Sequence, residues 1–305
     1  MSKIEKSLSK NQIIAGICIV IFVVIFSFVG PWFAAYGEYE ITYIKDGIEL
    51  TENASISEKG VTINSFAKPS AAHPLGTDKE GRDILTRLMY GGRISVSVAF
   101  FTIIIEGVFG TFLGLMSGYF GKITDEIIMR FVDFVSCIPD FPLILILSAL
   151  TTSMGIEANN KIYFIVLLIA FFGAMKIARV VRGQVRYILE QDYILAATAA
   201  GIGTLKKIVR HILPNVLPQI IVLSSLGIGS VILTESALSF LGFGLPYPYA
   251  SWGNMVNAVS DPQILTNHPN VFIMAGVMIF VTTLAFNLIG DGLDDLLNPM
   301  GRKSR

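Results

Sequence analysis

Two carboxylates lie inside strongly apolar sequence, Glu106 in AFFTIIIEGVFGTFLG and Glu235 in SVILTESALSFLG. A carboxylate in the hydrocarbon region of a bilayer costs about 3 kcal/mol on insertion scales, so each must face a partner or a water-filled path. Both are therefore candidates for lining a translocation path. The alternative for each is a packing role, which for Glu235 the neighbouring hydroxyls of Thr234 and Ser236 would satisfy. No other residues offer chemistry. His73, His211 and His268 are scattered without ligand spacing, so no metal site is expected. Cys18 and Cys137, about 120 residues apart in apolar stretches, read as small buried hydrophobes and not as a disulfide. There is no nucleophile–base pair, no HExxH and no G-x-x-x-x-G-K-[ST] loop for nucleotide phosphates. No catalytic residue and no cofactor-binding residue is assigned.

The elements that must position the two carboxylates are membrane spans. With 53% hydrophobic residues and a mean hydropathy of +0.65, the chain is too apolar for a soluble globule. A net charge of +0 leaves no basic excess to neutralise phosphates, which argues against a nucleic-acid partner. Six apolar stretches approach the ~20 residues that a spanning helix needs. They lie near residues 12–34, 95–118, 127–150, 161–181, 216–241 and 271–290. The first is too long for a cleavable signal and is read as an uncleaved anchor. Lysines and arginines then orient the chain. With the N-terminus inside, the inner segments carry Lys3, Lys6, Lys10, Lys122, Arg182, Arg186, Lys206, Lys207, Arg210, Arg302, Lys303 and Arg305, whereas 151–160 and 242–270 carry none. Both termini and the 192–215 loop are expected to be cytoplasmic, in a multi-pass protein of the cell membrane.

Within those spans, Gly110, Gly114 and Gly118 form a small-residue face for helix packing. Arg130 and Asp133 are spaced to pair on one helix face. Pro139 and Pro142 predict a kink. Lys176, Arg179, Arg182 and Arg186 read as snorkelling anchors. The first outer loop, about residues 35–93, holds ITYIKDGIELT, whose Asp46-Gly47 is a two-residue hairpin signal. A second turn falls at Lys59-Gly60, and Asn53-Ala54-Ser55 matches a glycosylation sequon, a short pattern of little weight. Farther on, Thr77 and Glu80 are spaced as a capping box for a short interfacial helix with Arg82, Asp83 and Arg87 on its polar side. Pro246, Tyr247, Pro248, Tyr249 and Trp252 read as a rigid aromatic turn at the outer interface. NLIGDGLDDLLNP reads as a short acidic helix after the last span.

Between the fourth and fifth apolar stretches lies DYILAATAAGIGTLKKIVRHILPN, residues 192–215. Leu195, Ala199, Ile202, Leu205, Ile208, Val209 and Ile212 fall at helical spacing, with Lys206, Lys207 and Arg210 between them. Gly201 and Gly203 divide the stretch into two short amphipathic helices, and Pro214 and Pro218 close it. This wording resembles the EAA loop of ABC-importer permeases in Ala196, Ala197, Gly201, His211, Leu213, Pro214 and Asn215. Leu195 stands where that motif has its leading Glu. The sequence HPLGTDKEGRDILTRLMYGGRIS, from His73, closely resembles one of the two permease types of oligopeptide and dipeptide importers, and LTESALSFLGFGLPYPYASWG is close to the same family.

The resemblance implies an all-α integral membrane protein with six transmembrane helices in the type I ABC-importer permease fold, to which the Asp46-Gly47 signal adds a small β-hairpin insert in the first outer loop. Three regions are expected: an anchor and outer loop over 1–94, a five-helix core over 95–290 with the coupling loop, and a cytoplasmic tail over 291–305. The implied partners are a second homologous permease, two ATP-binding cassette ATPases that hold the ATP, an extracytoplasmic solute-binding protein, membrane lipid and a di- or oligopeptide. Ala196, Ala197, Gly201, Gly203, His211 and Pro214 are the residues expected to couple to the ATPase. Relatives in the class that import nickel or glutathione are the alternative. An ion-driven secondary transporter would predict internal repeats around broken helices, which the sequence lacks. A polytopic membrane enzyme would need an intramembrane catalytic pair, and none is found.

Overall fold

Apolar segments of this length must satisfy their own backbone polar groups, and the chain does so as helices. A computed structural model describes residues 3–45, 48–53, 62–246 and 248–297. In chain order, α1 (Lys3–Val24) leads into a small sheet of β1 (Glu40–Lys45), β2 (Ile48–Asn53) and β3 (Thr62–Ile63). The helices α2 (Ile84–Phe120), α3 (Lys122–Ser136), α4 (Asp140–Ser153) and α5 (Ala158–Leu189) follow. Then come α6 (Asp192–Ala199), α7 (Thr204–Lys207), α8 (Leu213–Phe240), α9 (Trp252–Asn257), α10 (Pro262–Asn267) and α11 (Asn270–Leu297). Among the described residues five helices are long and apolar enough to cross a membrane, and six crossings result if the bent pair α3–α4 is one of them. The expected six-span architecture therefore stands, with one span broken.

That break is larger than a kink. The pair α3–α4 turns by 76° between Ser136 and Asp140, where Pro139 cannot continue the helix. The charges nearby also depart from expectation. Arg130 pairs with Glu126 at 2.7 Å, while Asp133 accepts from Arg179 at 2.9 Å. The α5 cations are not free snorkelling anchors. Lys176 pairs with Asp140 at 2.8 Å, and Arg182 and Arg186 converge on Asp125, whose carboxylate also accepts from Ser117. A short charge run met three aspartates from α3 and α4, and tertiary partners won over local ones.

The bundle is held by close helix approach. A Cβ on Gly110 would come within 2.6 Å of the Ala174 carbonyl, and one on Gly114 within 2.6 Å of Val181 Cβ. One on Gly118 would meet Val185 Cβ at 2.7 Å. The glycine face of α2 thus lies directly on α5, as expected. Gly114→Leu should lower the amount of folded protein in the membrane severely, because overpacking so tight a contact costs about 1–3 kcal/mol or more. Quantifying detergent-extractable, monodisperse protein checks this. Around the contact, Ala99, Val132, Ile169, Met175 and Ile232 form the central core. Ile177, Val185, Ile194, Ile212 and Val216 close one end, and Val23, Leu88, Trp252 and Val271 close the other.

At the second end the sheet order is β2-β1-β3, and β1 pairs antiparallel with β2 so that Lys45 faces Ile48. That register leaves two residues for the turn, as a hairpin at Asp46-Gly47 requires. Asp46, Gly47, Ala54, Ser55, Lys59 and Gly60 themselves lie outside the described residues, as does Tyr247. The expected capping box is absent. Thr77 bonds back into the loop, donating to the Asn64 carbonyl at 2.5 Å and accepting from Ala67 N–H at 2.8 Å. The helix begins later, at Ile84, with Asp83 as its cap accepting from Thr86 N–H at 2.8 Å. It is one continuous helix of 37 residues, with no separate interfacial segment.

Arg82 and Arg87, expected on an exposed face, are 4% and 6% exposed and tied to Asp78 at 2.9 and 3.3 Å. Asp83 also holds His73 Nδ1 at 2.9 Å, while His73 Nε2 meets Glu49 of β2 at 3.0 Å. This joins the insert to the start of α2. Tyr36 stacks on that ring, and burial, followed by the carboxylates of Glu49, Asp83 and Glu40, pushes its phenol above the ordinary range. Trp252 is fully buried, donating Nε1–H to the Leu88 carbonyl at 2.9 Å, and so does not sit at an interface. Cys18 and Cys137 are both exposed on the isolated chain, the reverse of the expected burial. The acidic C-terminal stretch is the last part of α11 and no separate helix, with Asp295 accepting from Ser9 of α1 at 3.1 Å.

Candidate functional site

The 192–215 segment folds as two short helices joined through glycine. Helix α6 ends as a Schellman motif: Ile202 N–H reaches the Ala197 carbonyl at 3.1 Å, and Gly201 N–H reaches Thr198 at 3.0 Å. Gly201 takes φ +73°, the left-handed conformation that an L side chain resists. Gly203 is extended, at φ −62°, and caps α7, so only the first glycine is required by backbone conformation. Lys207 Nζ donates to Thr198 Oγ1 at 3.0 Å and braces the two helices. From α7 the chain continues without a break into the next span. Pro214 has no N–H to give, and the helix widens to a π turn over Ile208–Ile212 before it. Pro214 and Pro218 therefore do not end the surface segment; α7 and α8 form one rod across the boundary.

The expected single apolar face divides in two. Ile194 (2% exposed) and Ile212 pack inward with Val181, Val185 and Ile188 of α5, and Ala197 is buried too. Leu195, Leu205 and Val209 point outward, with Leu205 75% exposed. Tyr193 joins them, and an open concavity runs past Gly203, Leu205, Lys206, Val209 and Arg210. Of the expected coupling residues, Ala196, Gly201, Gly203 and Pro214 are exposed, His211 is half-buried and Ala197 is buried. Asn215 Nδ2 donates to the His211 carbonyl at 2.5 Å, stitching the start of α8. The inward role of Ile194 was missed because its neighbour Leu195 fits the helical stripe equally well.

The two carboxylates have different surroundings. Glu235 (3% exposed) accepts from Ser239 Oγ at 2.8 Å and Ser95 Oγ at 3.1 Å, which ties α8 to α2. Ser95 also accepts from Trp252 N–H at 3.3 Å. Thr234 and Ser236, the hydroxyls expected to serve Glu235, do not reach it; Thr234 bonds to the Ser230 carbonyl. Glu106 (7% exposed) lines a cavity of about 250 Å³ between α2, α4, α5 and α8, with Phe141, Phe172, Lys176, Ser230 and Thr234. Its carboxylate lies flat against α5, where a Cβ on Gly173 would come within 2.0 Å of Oε1. The structure thus does not bring Glu106 and Glu235 to one cavity. A second cavity, of about 790 Å³, opens at the far end of the bundle between Asp78, Glu80, Arg87, Tyr249, Asn254 and Asp261.

Comparison with known proteins agrees with this geometry. Residues 110–303 match the family described as the binding-protein-dependent transport system inner membrane component. A dipeptide transport system permease protein of Alkalihalophilus pseudofirmus is 40% identical over 237 residues, 77% of this chain and 75% of the relative. A glutathione transport system permease protein of Pectobacterium atrosepticum is 39% identical over 76% of this chain and 74% of its own length. An oligopeptide transport system permease protein of Bacillus subtilis is 32% identical over 97% of this chain and 88% of its own. With its apolar helices, its glycine-sealed bundle and the helical loop before α8, the chain belongs to the binding-protein-dependent transport system inner membrane components, as a multi-pass permease of the ABC-importer type.

Proposed function

We propose that this chain is one of two homologous permease subunits of a peptide importer and forms half of the translocation path. Two ATP-binding cassette ATPases bind the ATP on the cytoplasmic side, and a solute-binding protein delivers peptide from outside. The chain itself carries out no reaction and holds no cofactor. Both termini and the 192–215 loop face the cytoplasm, in keeping with the lysine and arginine distribution. The observation that carries the reading is the α6–α7 pair. It offers exposed Leu195, Leu205 and Val209 to a partner while α7 runs without a break into α8. A groove that closes on this pair would move a membrane helix directly. Lys206 and Arg210 sit at its rim, where charge adds partner choice more than affinity.

Peptide is the cargo named for two of the relatives above, and glutathione, itself a tripeptide, is the second reading, which the Pectobacterium relative favours. Nickel, the other cargo that the resemblance leaves open, is the third reading. Reconstitution in proteoliposomes tests the proposal. ATP-dependent peptide uptake should need this chain, its permease partner and the ATPases together. Uptake that persists without ATP and follows an ion gradient would reject it.

A further inference from the structure

Five acidic side chains are buried among the described residues: Asp78, Asp83, Glu106, Asp125 and Glu235. Asp78 holds Arg82 and backbone N–H groups, Asp83 holds Thr86 and His73, Asp125 holds Ser117 and two arginines, and Glu235 holds two serines. Among the described residues Glu106 makes no hydrogen bond and no ion pair. A buried carboxylate left so is costly unless something else fills the role. Its surroundings indicate what that is. Lys176, the one cation lining the Glu106 cavity, is paired with Asp140 at 2.8 Å, so Glu106 is the lining carboxyl without a cation of its own. Ser230 and Thr234 line the same space, the Thr234 hydroxyl donating to the Ser230 carbonyl and so keeping its lone pairs to accept, and Ile144, Ile169, Phe172 and Val231 make its walls apolar. One carboxylate with two hydroxyls is a poor metal site but suits an ammonium, which has three protons to donate. About 250 Å³ is below the ~300–1,000 Å³ of ordinary small-molecule pockets, so it admits one end or one side chain of a larger ligand.

We propose that Glu106, with Ser230 and Thr234, is an ammonium-binding site on the path, engaging a cationic group of the peptide in transit. This rests on the reading of the chain as a peptide permease. Two groups share the chemistry, the peptide's terminal α-ammonium and a lysine side chain. With Lys176 on Asp140, the Glu106 carboxyl is left for the ligand.

The full complex, with its own binding protein, ATPases and partner permease, is reconstituted and given three probes: Ala-Ala-Ala, N-acetyl-Ala-Lys-Ala and N-acetyl-Ala-Ala-Ala. Each uptake rate is expressed relative to the last, which has no ammonium, and wild type is compared with Glu106→Gln. The binding protein's own preference is common to both complexes and cancels. Loss of one charge-assisted hydrogen bond should lower a relative rate about tenfold. A fall for Ala-Ala-Ala assigns the site to the α-ammonium, and a fall for N-acetyl-Ala-Lys-Ala assigns it to the side chain. Either supports the proposal, and Glu106→Asp should recover part of the preference. Unchanged ratios, including an equal slowing of all three probes as a purely structural role would give, overturn it. If Glu106→Gln does not assemble, Gly173→Ala, which displaces the carboxylate, is read by the same ratios and the same criterion. Failure of the wild-type complex to import any peptide on ATP would instead reject the functional reading beneath the proposal.

Discussion

Leu205→Glu should detach the ATPase from the permease while leaving the permease folded. Leu205 is 75% exposed on this chain, so a charge there costs the isolated fold almost nothing. Seated in a partner groove, the same side chain is a central apolar anchor. Replacing it with a carboxylate should cost about 2 kcal/mol or more of binding, roughly a thirtyfold weakening. Co-purified ATPase per unit of permease is the readout, with membrane content of the permease as its control. Undiminished ATPase at equal permease would show that the outward face of α7 is not the docking surface. Lys206→Ala, at the rim, should have a much smaller effect that fades with added salt.

Gly201→Val should separate ATP hydrolysis from transport. A Cβ at Gly201 meets nothing within 4 Å, so the substitution causes no clash. Its cost is conformational: φ +73° is an outlier for a β-branched residue, at about 1–2 kcal/mol or more. The chain relieves that strain by opening the Schellman turn, which re-aims α6 relative to the α7–α8 rod. The groove then still holds one helix while its motion no longer reaches the membrane. Peptide imported per ATP hydrolysed should fall about tenfold, on the scale of the strain itself, with the complex intact on gel filtration. Gly201→Asn, which tolerates the left-handed region, should keep most of the coupling. Wild-type coupling in Gly201→Val would remove this loop from the transmission.

The parts of this fold that were legible are those with a local physical signature. Six apolar runs called for helices, the four-residue glycine spacing placed α2 against another helix, and Asp46-Gly47 between alternating residues called for a hairpin. Gly201 marked the end of α6 because few other residues adopt its conformation. Features decided by distant neighbours were not legible. Thr77 and Glu80 have the spacing of a capping box, yet Thr77 is drawn to Asn64 and Ala67, and Asp83 caps the helix. Arg130 and Asp133 could pair, but Glu126 and Arg179 are better placed. The depth of Glu106 was evident, whereas its lack of a donor among the described residues goes with Lys176 pairing with Asp140, a residue of another helix. Periodicity also merged the inward and outward faces of 192–212, since Ile194 and Leu195 are equally apolar and only the fold separates them.

The central claim is that the α6–α7 pair docks this permease onto an ATPase. Site-directed cross-linking tests it most directly, with a single cysteine at Leu205 in native membranes, on a background where Cys18 and Cys137 are replaced. Partners trapped by a short thiol-reactive cross-linker are identified by mass. The account predicts one dominant adduct to an ATP-binding cassette ATPase, whose yield changes when ATP is added. An adduct with no ATPase, or labelling of the cysteine from the outer side of the membrane, would contradict it.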